Sequence, residues 1–509
     1  MSGQASDTLK PLLRAQAHAA DPTVHAWVAA SAGTGKTQVL TARVLRLLLG
    51  GARPEALLCL TFTKLAAAEM QARVMNRLAR WAGCSEAELA EDLVAIGAAT
   101  DADTRDTARR LFARVLETPA GLAIQTIHSF AQGLIASFPV EAGITPGFQT
   151  LDDRAAALLR RRVLTEALAD PDDPGFAADV GEVALDGGEG RLAEIMAALA
   201  RHGEALASLR VEAVEPMLRR HLGLGEGGSA EAALAAALPC LPWARIAELA
   251  RALGQHDGKK AIMLADQMAA ALALSDFAER WQAIWSCFFT SKNEPRVLTS
   301  MIPNALEDWR PFCAEVQEAL LTIREEQERW AILEVGGRHL RVAVRLAQDW
   351  QAAKHRMGVI DYEDMIAAAA RLLAEPGAAE WVRFKLDARI DHILVDEAQD
   401  TNEAQWEVIR AIAEEFFAGK GQRETFRSLF VVGDFKQSIF SFQGADPKVY
   451  ALQREIFAQW CEAEPDRWKE IDLDTNFRSA PAVLDVVDRA IAQIGPAPFG
   501  TPDVPRHRA

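Results

Sequence analysis

Short apolar runs, each bounded by polar, charged or glycine residues, recur along the chain and predict β-strands. Several are followed by segments with helical periodicity, such as KLAAAEMQARVMNRLARWA at 64–82. A strand followed by a helix, repeated, predicts an α/β fold in which a parallel sheet carries helices on both faces. The predicted strands are HAWVAA (25–30), LLCLTF (57–62), LAIQT (122–126), HILVD (392–396), SLFVVGD (428–434) and EIDLD (470–474).

The middle of the chain has a different pattern. From about residue 150 to residue 390, stretches rich in Ala, Leu and Arg predict helices, as in DDRAAALLRRRVLTEALAD at 152–170. We therefore expect a mainly helical domain inserted within the α/β domain.

Composition narrows the class of protein. The 509 residues are 50% hydrophobic and 25% charged, as in ordinary globular proteins, and the formal net charge is -16. That charge argues against a surface that binds nucleic-acid phosphates everywhere, but it allows a local basic groove. The six cysteines are scattered, which is typical of reduced thiols rather than of disulfides or a zinc site. The sequence has no signal-peptide pattern and no apolar run of bilayer length, so we expect a cytoplasmic protein without membrane contact.

The stretch WVAASAGTGKTQVL (27–40) has the residue types of a phosphate-binding loop between a predicted strand and a predicted helix. Backbone N–H groups of such a turn can point at phosphate oxygens, and glycines permit the close approach. Lys36 is expected to reach the β- and γ-phosphates, and the Thr37 hydroxyl to bind Mg²⁺. The predicted nucleotide-binding residues here are Ala30, Ser31, Ala32, Gly33, Thr34, Gly35, Lys36, Thr37 and Gln38.

An apolar run that ends in acidic residues, HILVDEAQD (392–400), supplies the carboxylates that a phosphate loop needs. Asp396 is predicted to hold Mg²⁺, and Glu397 to orient and deprotonate the attacking water. Because such sheets carry their ligands at the carboxyl ends of the strands, we expect both acids beside the phosphate loop. A solvated acidic turn is the alternative interpretation.

The order of the motifs resembles that of superfamily 1 DNA helicases of the UvrD/Rep type, in which ASAGTGKT with alanine first is normal. Within that group the chain is most similar to the AddA family, the helicase–nuclease subunits of bacterial double-strand-break repair. A RecB-like or UvrD-like repair helicase is the alternative. The other elements that carry the resemblance are TFTKLAAAEM (61–70, motif Ia), TIHSF (126–130, motif Ib), DYEDM (361–365), VDEAQD (395–400, motif II), VVGDFKQSIFSFQGAD (431–446, motif III) and LDTNFRSA (473–480, motif IV).

The resemblance implies a RecA-like motor domain with a large inserted helical domain and the start of a second RecA-like domain. The expected boundaries are 1–150 and 389–465 for the two parts of the first motor domain, 151–388 for the insertion and 466–509 for the start of the second motor domain.

The resemblance also implies roles in ATP binding and hydrolysis. Gln16 corresponds to an adenine-reading glutamine, with an ordinary helix-surface glutamine as the alternative. Gln437 resembles the glutamine that contacts the γ-phosphate and the attacking water. Arg478 resembles an arginine that stabilises charge at the γ-phosphate. Gln437 and Arg478 therefore join Glu397 as predicted catalytic residues.

A DNA-binding surface is implied by motifs Ia, Ib and III. Hydroxyls and a lysine at strand ends suit phosphate oxygens, and exposed aromatic rings suit stacking on single-strand bases. Burial in the core would explain the two motif III aromatics equally well. The predicted DNA-binding residues are Thr61, Phe62, Thr63, Lys64, His128, Ser129, Phe440 and Phe442.

The resemblance predicts an ATP- and Mg²⁺-dependent 3′–5′ DNA helicase that acts on single- and double-stranded DNA beside an AddB-like partner. The later helicase motifs and a nuclease domain are not found after motif IV, so we expect an incomplete chain. The alternative function is a truncated module that binds ATP and single-stranded DNA without unwinding activity.

Overall fold

The computed structural model describes residues 9–119, 121–225, 228–375, 377–417, 426–434, 437 and 445–495. The chain divides into two compact units, of which the second comprises Ala155–Ala353 and the first comprises the segments on either side. We call them the helical unit and the sheet unit. The helical unit lies within the expected insertion of 151–388, and the expected boundaries themselves stay a prediction.

All six predicted strands are present, and together they form a single parallel sheet, so the predicted α/β class is confirmed. The sheet order is β3-β2-β6-β7-β1-β8. A further two-stranded parallel pair, β4 and β5, was not predicted from the sequence. The strands are β1 (His25–Ala30), β2 (Leu57–Thr61), β3 (Ala123–Thr126), β4 (Gln149–Thr150), β5 (Val359–Ile360), β6 (His392–Val395), β7 (Ser428–Gly433) and β8 (Trp468–Leu473).

Helices make up most of the remaining described chain. The first group, in the sheet unit, is α1 (Arg14–Ala19), α2 (Lys36–Leu49), α3 (Lys64–Gly83), α4 (Glu86–Ala95), α5 (Ala102–Glu117) and α6 (Ile127–Ser137). The second group makes up the helical unit: α7 (Asp153–Leu168), α8 (Pro174–Ala207), α9 (Val211–Leu222), α10 (Ala230–Ala237), α11 (Trp243–Gly254), α12 (Lys259–Ala273), α13 (Phe277–Phe288), α14 (Leu298–Met301) and α15 (Arg310–Met357). The last group returns to the sheet unit: α16 (Tyr362–Ala374), α17 (Ala378–Asp387), α18 (Glu403–Phe417), α19 (Pro447–Trp460) and α20 (Pro481–Ile494).

The sheet is buried on both faces because successive strand residues point to opposite sides. In β1, for example, Val28 belongs to one hydrophobic cluster, with α2, α3 and α5, while its neighbour Trp27 belongs to the other, with α6, α16 and α18. In β6, Leu394 and Val395 divide in the same way. This two-sided burial explains why the strands are nearly continuous apolar runs rather than alternating ones.

The edge strand β8 differs from the sequence-based assignment. We expected residues 466–509 to begin a second motor domain, but β8 is hydrogen-bonded in parallel to β1, from His25 opposite Trp468 to Ala30 opposite Leu473. An apolar pattern predicts that a segment is extended but does not say which strand it pairs with. As a result, the loop after β8 joins the loops of the sheet unit.

The helical unit has its own hydrophobic core, built around residues such as Leu249, Met268, Ile284 and Phe288. In the part of the chain that the structure describes, no single helix is both long and apolar enough to cross a membrane. Among the described helices, α10 with its following turn passes that test of length and composition when taken together with α11 across a 64° bend.

Candidate nucleotide-binding and DNA-binding site

The phosphate loop connects β1 to α2 at the carboxyl edge of the sheet. Gly33 and Gly35 have φ values of 78° and 87°, a left-handed conformation that glycine adopts without steric cost. Gly35 lies immediately before the first residue of α2, so the loop ends at the positive end of a helix dipole. Ala30 is the buried last residue of β1, and its methyl group packs in the core. Alanine at this position therefore belongs to the strand and leaves the glycine-dependent part of the loop intact.

The loop after β8 packs directly on the phosphate loop. Asn476 donates from Nδ2 to the carbonyl oxygen of Ala32 at 2.6 Å, and the N–H of Phe477 donates to the carbonyl oxygen of Gly33 at 2.8 Å. A Cβ atom added to Gly33 would lie 2.7 Å from the Cβ of Arg478. Gly33 is thus required both for its backbone conformation and for the close approach of the motif IV loop.

The predicted phosphate-binding lysine and the predicted catalytic acid form an ion pair. Lys36 Nζ lies 2.8 Å from Glu397 Oε2. Burial alone would raise the pKa of Glu397, but the charge of Lys36 and the hydrogen bonds from Gln399 and Lys36 outweigh it and hold that pKa below its ordinary value. Glu397 therefore carries a negative charge at neutral pH, as a base that activates water requires.

Glu397 also has an unusual backbone conformation. Its φ of 49° and ψ of 43° place it in the left-handed region, directly before a short 3₁₀ turn at Ala398–Asp400. Such conformations are costly for a residue with a Cβ and occur preferentially at functional sites. The sharp turn after β6 aims Glu397 at Lys36 rather than along the strand direction.

The chemistry of Asp396 and Thr37 fits a magnesium ion. Asp396 follows β6, and burial together with the charge of Glu397 raises its pKa to about 6. A buried carboxylate beside another carboxylate is stabilised in its charged form by a nearby cation. Thr37 lies in the first turn of α2, next to Lys36. A hydroxyl and a carboxylate are oxygen ligands that Mg²⁺ prefers, so these two residues are the ones that would hold it.

Motif III is connected to motif II by Gln399, which the sequence analysis did not single out. Gln399 Nε2 donates to Glu397 Oε2 at 2.8 Å, and its Oε1 accepts the backbone N–H of Asp434 at 2.8 Å. Asp434 in turn accepts a hydrogen bond from Nε2 of Gln437. The predicted γ-phosphate sensor Gln437 is therefore linked to Glu397 through two side chains. Phe440 and Phe442 lie outside the described residues.

Gln16 and Gln38 lie beside the phosphate loop with their amides engaged by the protein. Gln16 is 3% exposed; its Nε2 donates to the carbonyl oxygen of Thr34 at 3.0 Å, and its Oε1 accepts the N–H of Leu13 at 2.9 Å. Gln38 Nε2 donates to the carbonyl oxygen of Lys10 at 2.7 Å. Gln16 is therefore not the surface glutamine of the alternative interpretation. Adenine recognition by Gln16 stays a prediction, and it requires the amide to exchange these partners.

Arg478 is exposed at the start of the motif IV loop's return from the phosphate loop, and its backbone N–H donates to Asn476 Oδ1 at 2.8 Å. Asn476 was also missed from the sequence. A buried asparagine right after an apolar strand was the available signal, since a buried amide must find hydrogen-bond partners.

The predicted DNA-binding residues of motifs Ia and Ib lie side by side. Thr61 and Thr126 are register partners at the carboxyl ends of the adjacent strands β2 and β3. The helices α3 and α6 begin directly afterwards, capped by the hydroxyls of Thr63 and Thr126. Two helix N-termini at one sheet edge favour the binding of phosphate groups. Lys64, in the first turn of α3, is exposed there.

Several of the predicted DNA-binding hydroxyls are already used within the protein. Thr61 Oγ1 donates to the carbonyl oxygen of Thr63 at 3.1 Å, and Ser129 Oγ lies 2.9 Å from Thr126 Oγ1. These bonds shape the two turns, which leaves Lys64 and the helix N-termini as the groups best placed for DNA. Phe62 is half-buried, and its predicted contact with bases stays a prediction.

His128 of motif Ib contacts the element that precedes motif II. Its ring packs edge-on against Tyr362, with 5.5 Å between ring centroids, and burial lowers its pKa. Tyr362 begins α16, whose N-terminal acids Asp361 and Asp364 both pair with the buried Lys354. The structure thus brings motif Ib and the DYEDM element together, and a neutral His128 lies at their junction.

A parallel sheet with a glycine-rich phosphate loop, a Lys–Glu pair and a second acid at its carboxyl edge defines a P-loop nucleotide-binding domain. The description "UvrD/REP helicase N-terminal domain" matches residues 12–458, and the chain belongs to this family. The resemblance predicted from the motifs is thereby confirmed.

Curated relatives agree with the narrower resemblance. The chain is 28% identical to the A-type subunit of an ATP-dependent helicase/nuclease from Geobacillus kaustophilus, over 92% of this chain and 38% of the relative. Proteins of the same name from Moorella thermoacetica and Exiguobacterium sibiricum are 27% and 25% identical, each over 92% of this chain and over 34% and 39% of their own lengths. The chain therefore spans less than half the length of the curated relatives that it matches.

Proposed function

We propose that this chain is the ATP-hydrolysing motor part of a DNA helicase that acts in double-strand-break repair. The observation that carries the proposal is the pairing of Lys36 with Glu397 at 2.8 Å. This pair joins the phosphate loop to the acid that follows β6, as hydrolysis of a nucleoside triphosphate requires. The family match and the names of the relatives support DNA unwinding as the use of that hydrolysis.

In the proposed reaction, Lys36 exchanges its bond with Glu397 for the β- and γ-phosphates of ATP. The loop N–H groups and the N-terminus of α2 hold the same phosphates. Glu397, released from Lys36, orients the attacking water and accepts its proton. A Mg²⁺ ion, held by Thr37 and Asp396, supplies charge neutralisation at the phosphates. Gln437 and Arg478 are proposed to act on the γ-phosphate from motifs III and IV.

DNA is proposed to bind along the ends of β2 and β3, next to the ATP site. In the sheet order, β2 is adjacent to β6, the strand that ends in Asp396 and Glu397. Lys64 and the N-termini of α3 and α6 would contact DNA phosphates. Because both ligands would lie on one sheet edge, a change at the nucleotide reaches the DNA-binding turns over a short distance. Translocation with 3′–5′ polarity is part of this proposal.

The names of the relatives describe one component of a helicase/nuclease, which favours action beside a second component. We propose an AddB-like partner and a cytoplasmic location. Single- and double-stranded DNA are the proposed substrates.

The proposed function is tested by ATP hydrolysis measured with and without a single-stranded oligonucleotide. We expect hydrolysis that the oligonucleotide increases, and we expect Lys36→Ala to abolish ATP binding or turnover because the phosphates lose their main cation. Lys260→Ala, an exposed lysine on α12 of the helical unit, is the matched control and should match the unchanged chain. Full ATPase activity in Lys36→Ala would refute the site.

A further inference from the structure

We propose that Gln399 is a positioning residue that holds the catalytic Glu397 and ties it to motif III. The inference rests on the proposed function, because it concerns the same hydrolysis site. Gln399 belongs to the VDEAQD segment but reaches two different parts of the sheet edge, the turn after β6 and the end of β7.

The amide of Gln399 is fully engaged. Its Nε2 donates to Glu397 Oε2 at 2.8 Å and to Asp400 Oδ2 at 3.2 Å, while its Oε1 accepts the backbone N–H of Asp434 at 2.8 Å. The side chain is buried, with 2% exposure. Only an amide presents a donor and an acceptor at the same distance from the backbone, so no carboxylate or apolar side chain of this length can make both contacts.

Gly433, the last residue of β7, leaves the space that Gln399 occupies. A Cβ atom at this position would lie 2.8 Å from Gln399 Oε1 and 3.2 Å from its backbone nitrogen. The backbone of Gly433 does not have a positive φ, so conformation does not require glycine here. The close approach of Gln399 is the physical reason for a residue without a side chain.

The contacts form a continuous path across the site. It runs from Lys36 to Glu397, through Gln399 to Asp434, and from there to Gln437. When ATP draws Lys36 away, the bond from Gln399 remains to keep the Glu397 carboxylate in place. The other end of the same amide fixes the backbone from which motif III begins. A shift of motif III is therefore felt directly at the catalytic carboxylate.

Three substitutions in the full chain test this arrangement. Gln399→Met preserves the length of the side chain and removes both bonds; Gln399→Glu keeps the acceptor for the Asp434 N–H but removes the donor to Glu397. Gly433→Ala displaces Gln399 without altering it. We expect each to lower kcat for ATP by about tenfold to a hundredfold, the usual effect of losing an outer-shell contact, with ATP affinity within about twofold of the unchanged chain.

The increase of turnover by single-stranded DNA separates the two ends of the amide. Gln399→Met should reduce that increase, because Asp434 loses its tie, whereas Gln399→Glu should retain it. Gln405→Met and Gln405→Glu are the matched controls, since Gln405 is also a buried glutamine and bonds Asn402 rather than the site. Both control variants should keep the kcat of the unchanged chain.

The outcomes distinguish this inference from the function on which it rests. An unchanged chain that binds no ATP would overturn the proposed function and this inference with it. An active unchanged chain with unaltered kcat in the three variants would overturn the inference alone. A parallel loss of ATP affinity and kcat, with a lower melting temperature, would show that Gln399 only supports the fold and would also overturn it.

Discussion

Asn476 donates a 2.6 Å hydrogen bond to the carbonyl oxygen of Ala32, across a sequence separation of 444 residues. Its Oδ1 accepts the backbone N–H groups of Arg478 and Ser479, both at 2.8 Å. One buried amide therefore fastens the motif IV loop to the phosphate loop and also shapes the turn that carries Arg478. The two predicted parts of the ATP site are joined by this side chain.

Asn476→Ala should weaken ATP binding. The change removes one hydrogen bond to the phosphate loop and two within the motif IV turn, each worth about 1 kcal/mol net. Because the folded loop is held by further contacts, we expect ATP affinity to fall by roughly fivefold to tenfold, as measured by titration with a fluorescent ATP analogue. Asn304→Ala, at an exposed asparagine of the helical unit, is the control. Equal affinity in the two variants would contradict the role given to Asn476.

Glu397→Gln should separate binding from hydrolysis. Glutamine still accepts hydrogen bonds from Lys36 and Gln399 but cannot take a proton from water, so turnover should fall by about 10²- to 10⁴-fold. ATP affinity should be kept or increased, because Lys36 is no longer held by a full negative charge. Steady-state kcat and nucleotide titration provide the two readings. Glu403→Gln, an exposed glutamate at the start of α18, is the control, and normal turnover in Glu397→Gln would remove its catalytic assignment.

Lys64→Ala should weaken binding to single-stranded DNA without affecting ATP affinity. Loss of one phosphate contact lowers the slope of log K against log salt by about 0.7 on a single strand. Fluorescence anisotropy of a labelled oligonucleotide at several salt concentrations measures both affinity and slope. Lys260→Ala removes the same charge from the helical unit and should leave the slope unchanged. An unchanged slope in Lys64→Ala would place the DNA elsewhere.

Two buried histidines should make the sheet unit sensitive to acid. Burial lowers the pKa of His25 to about 3 and that of His392 to about 4. The Nδ1 of His25 accepts the N–H of Leu429, and His392 Nδ1 lies 2.9 Å from Ser428 Oγ. Both rings are therefore neutral in the folded chain, whereas in the unfolded chain they take up protons below about pH 6.5. Their contribution to stability is present above pH 6.5 and is lost as the pH falls toward 4.

Each of these histidines should cost up to about 1.4 kcal/mol per pH unit in that window. Asp396 and Asp400, whose pKa values are raised to about 6, act in the opposite direction, so the comparison must be between variants. We expect the loss of thermal stability between pH 7 and pH 4.5 to be smaller in His25→Gln than in the unchanged chain. His221→Gln, at an exposed histidine, should not differ from the unchanged chain.

The sequence by itself determined the elements and most of the chemistry. Apolar runs predicted all six strands of the sheet to within two residues at their ends, because a parallel strand buried on both faces must be apolar throughout. Glycines with a following lysine, and an apolar run ending in two acids, identified the phosphate loop and its acidic partner. These signals are local, so the chain displays them without reference to its fold.

Only the tertiary structure decided which of these elements meet. The pairing of β8 with β1 brings Asn476 to Ala32, and the neighbouring positions of β6 and β7 bring Gln399 to Asp434. Neither amide belongs to a pattern that predicts its partner, because a hydrogen bond between distant segments depends on strand order and register. The residues that hold the site together therefore became visible only in the folded chain, whereas those that act on the nucleotide were already visible in the sequence.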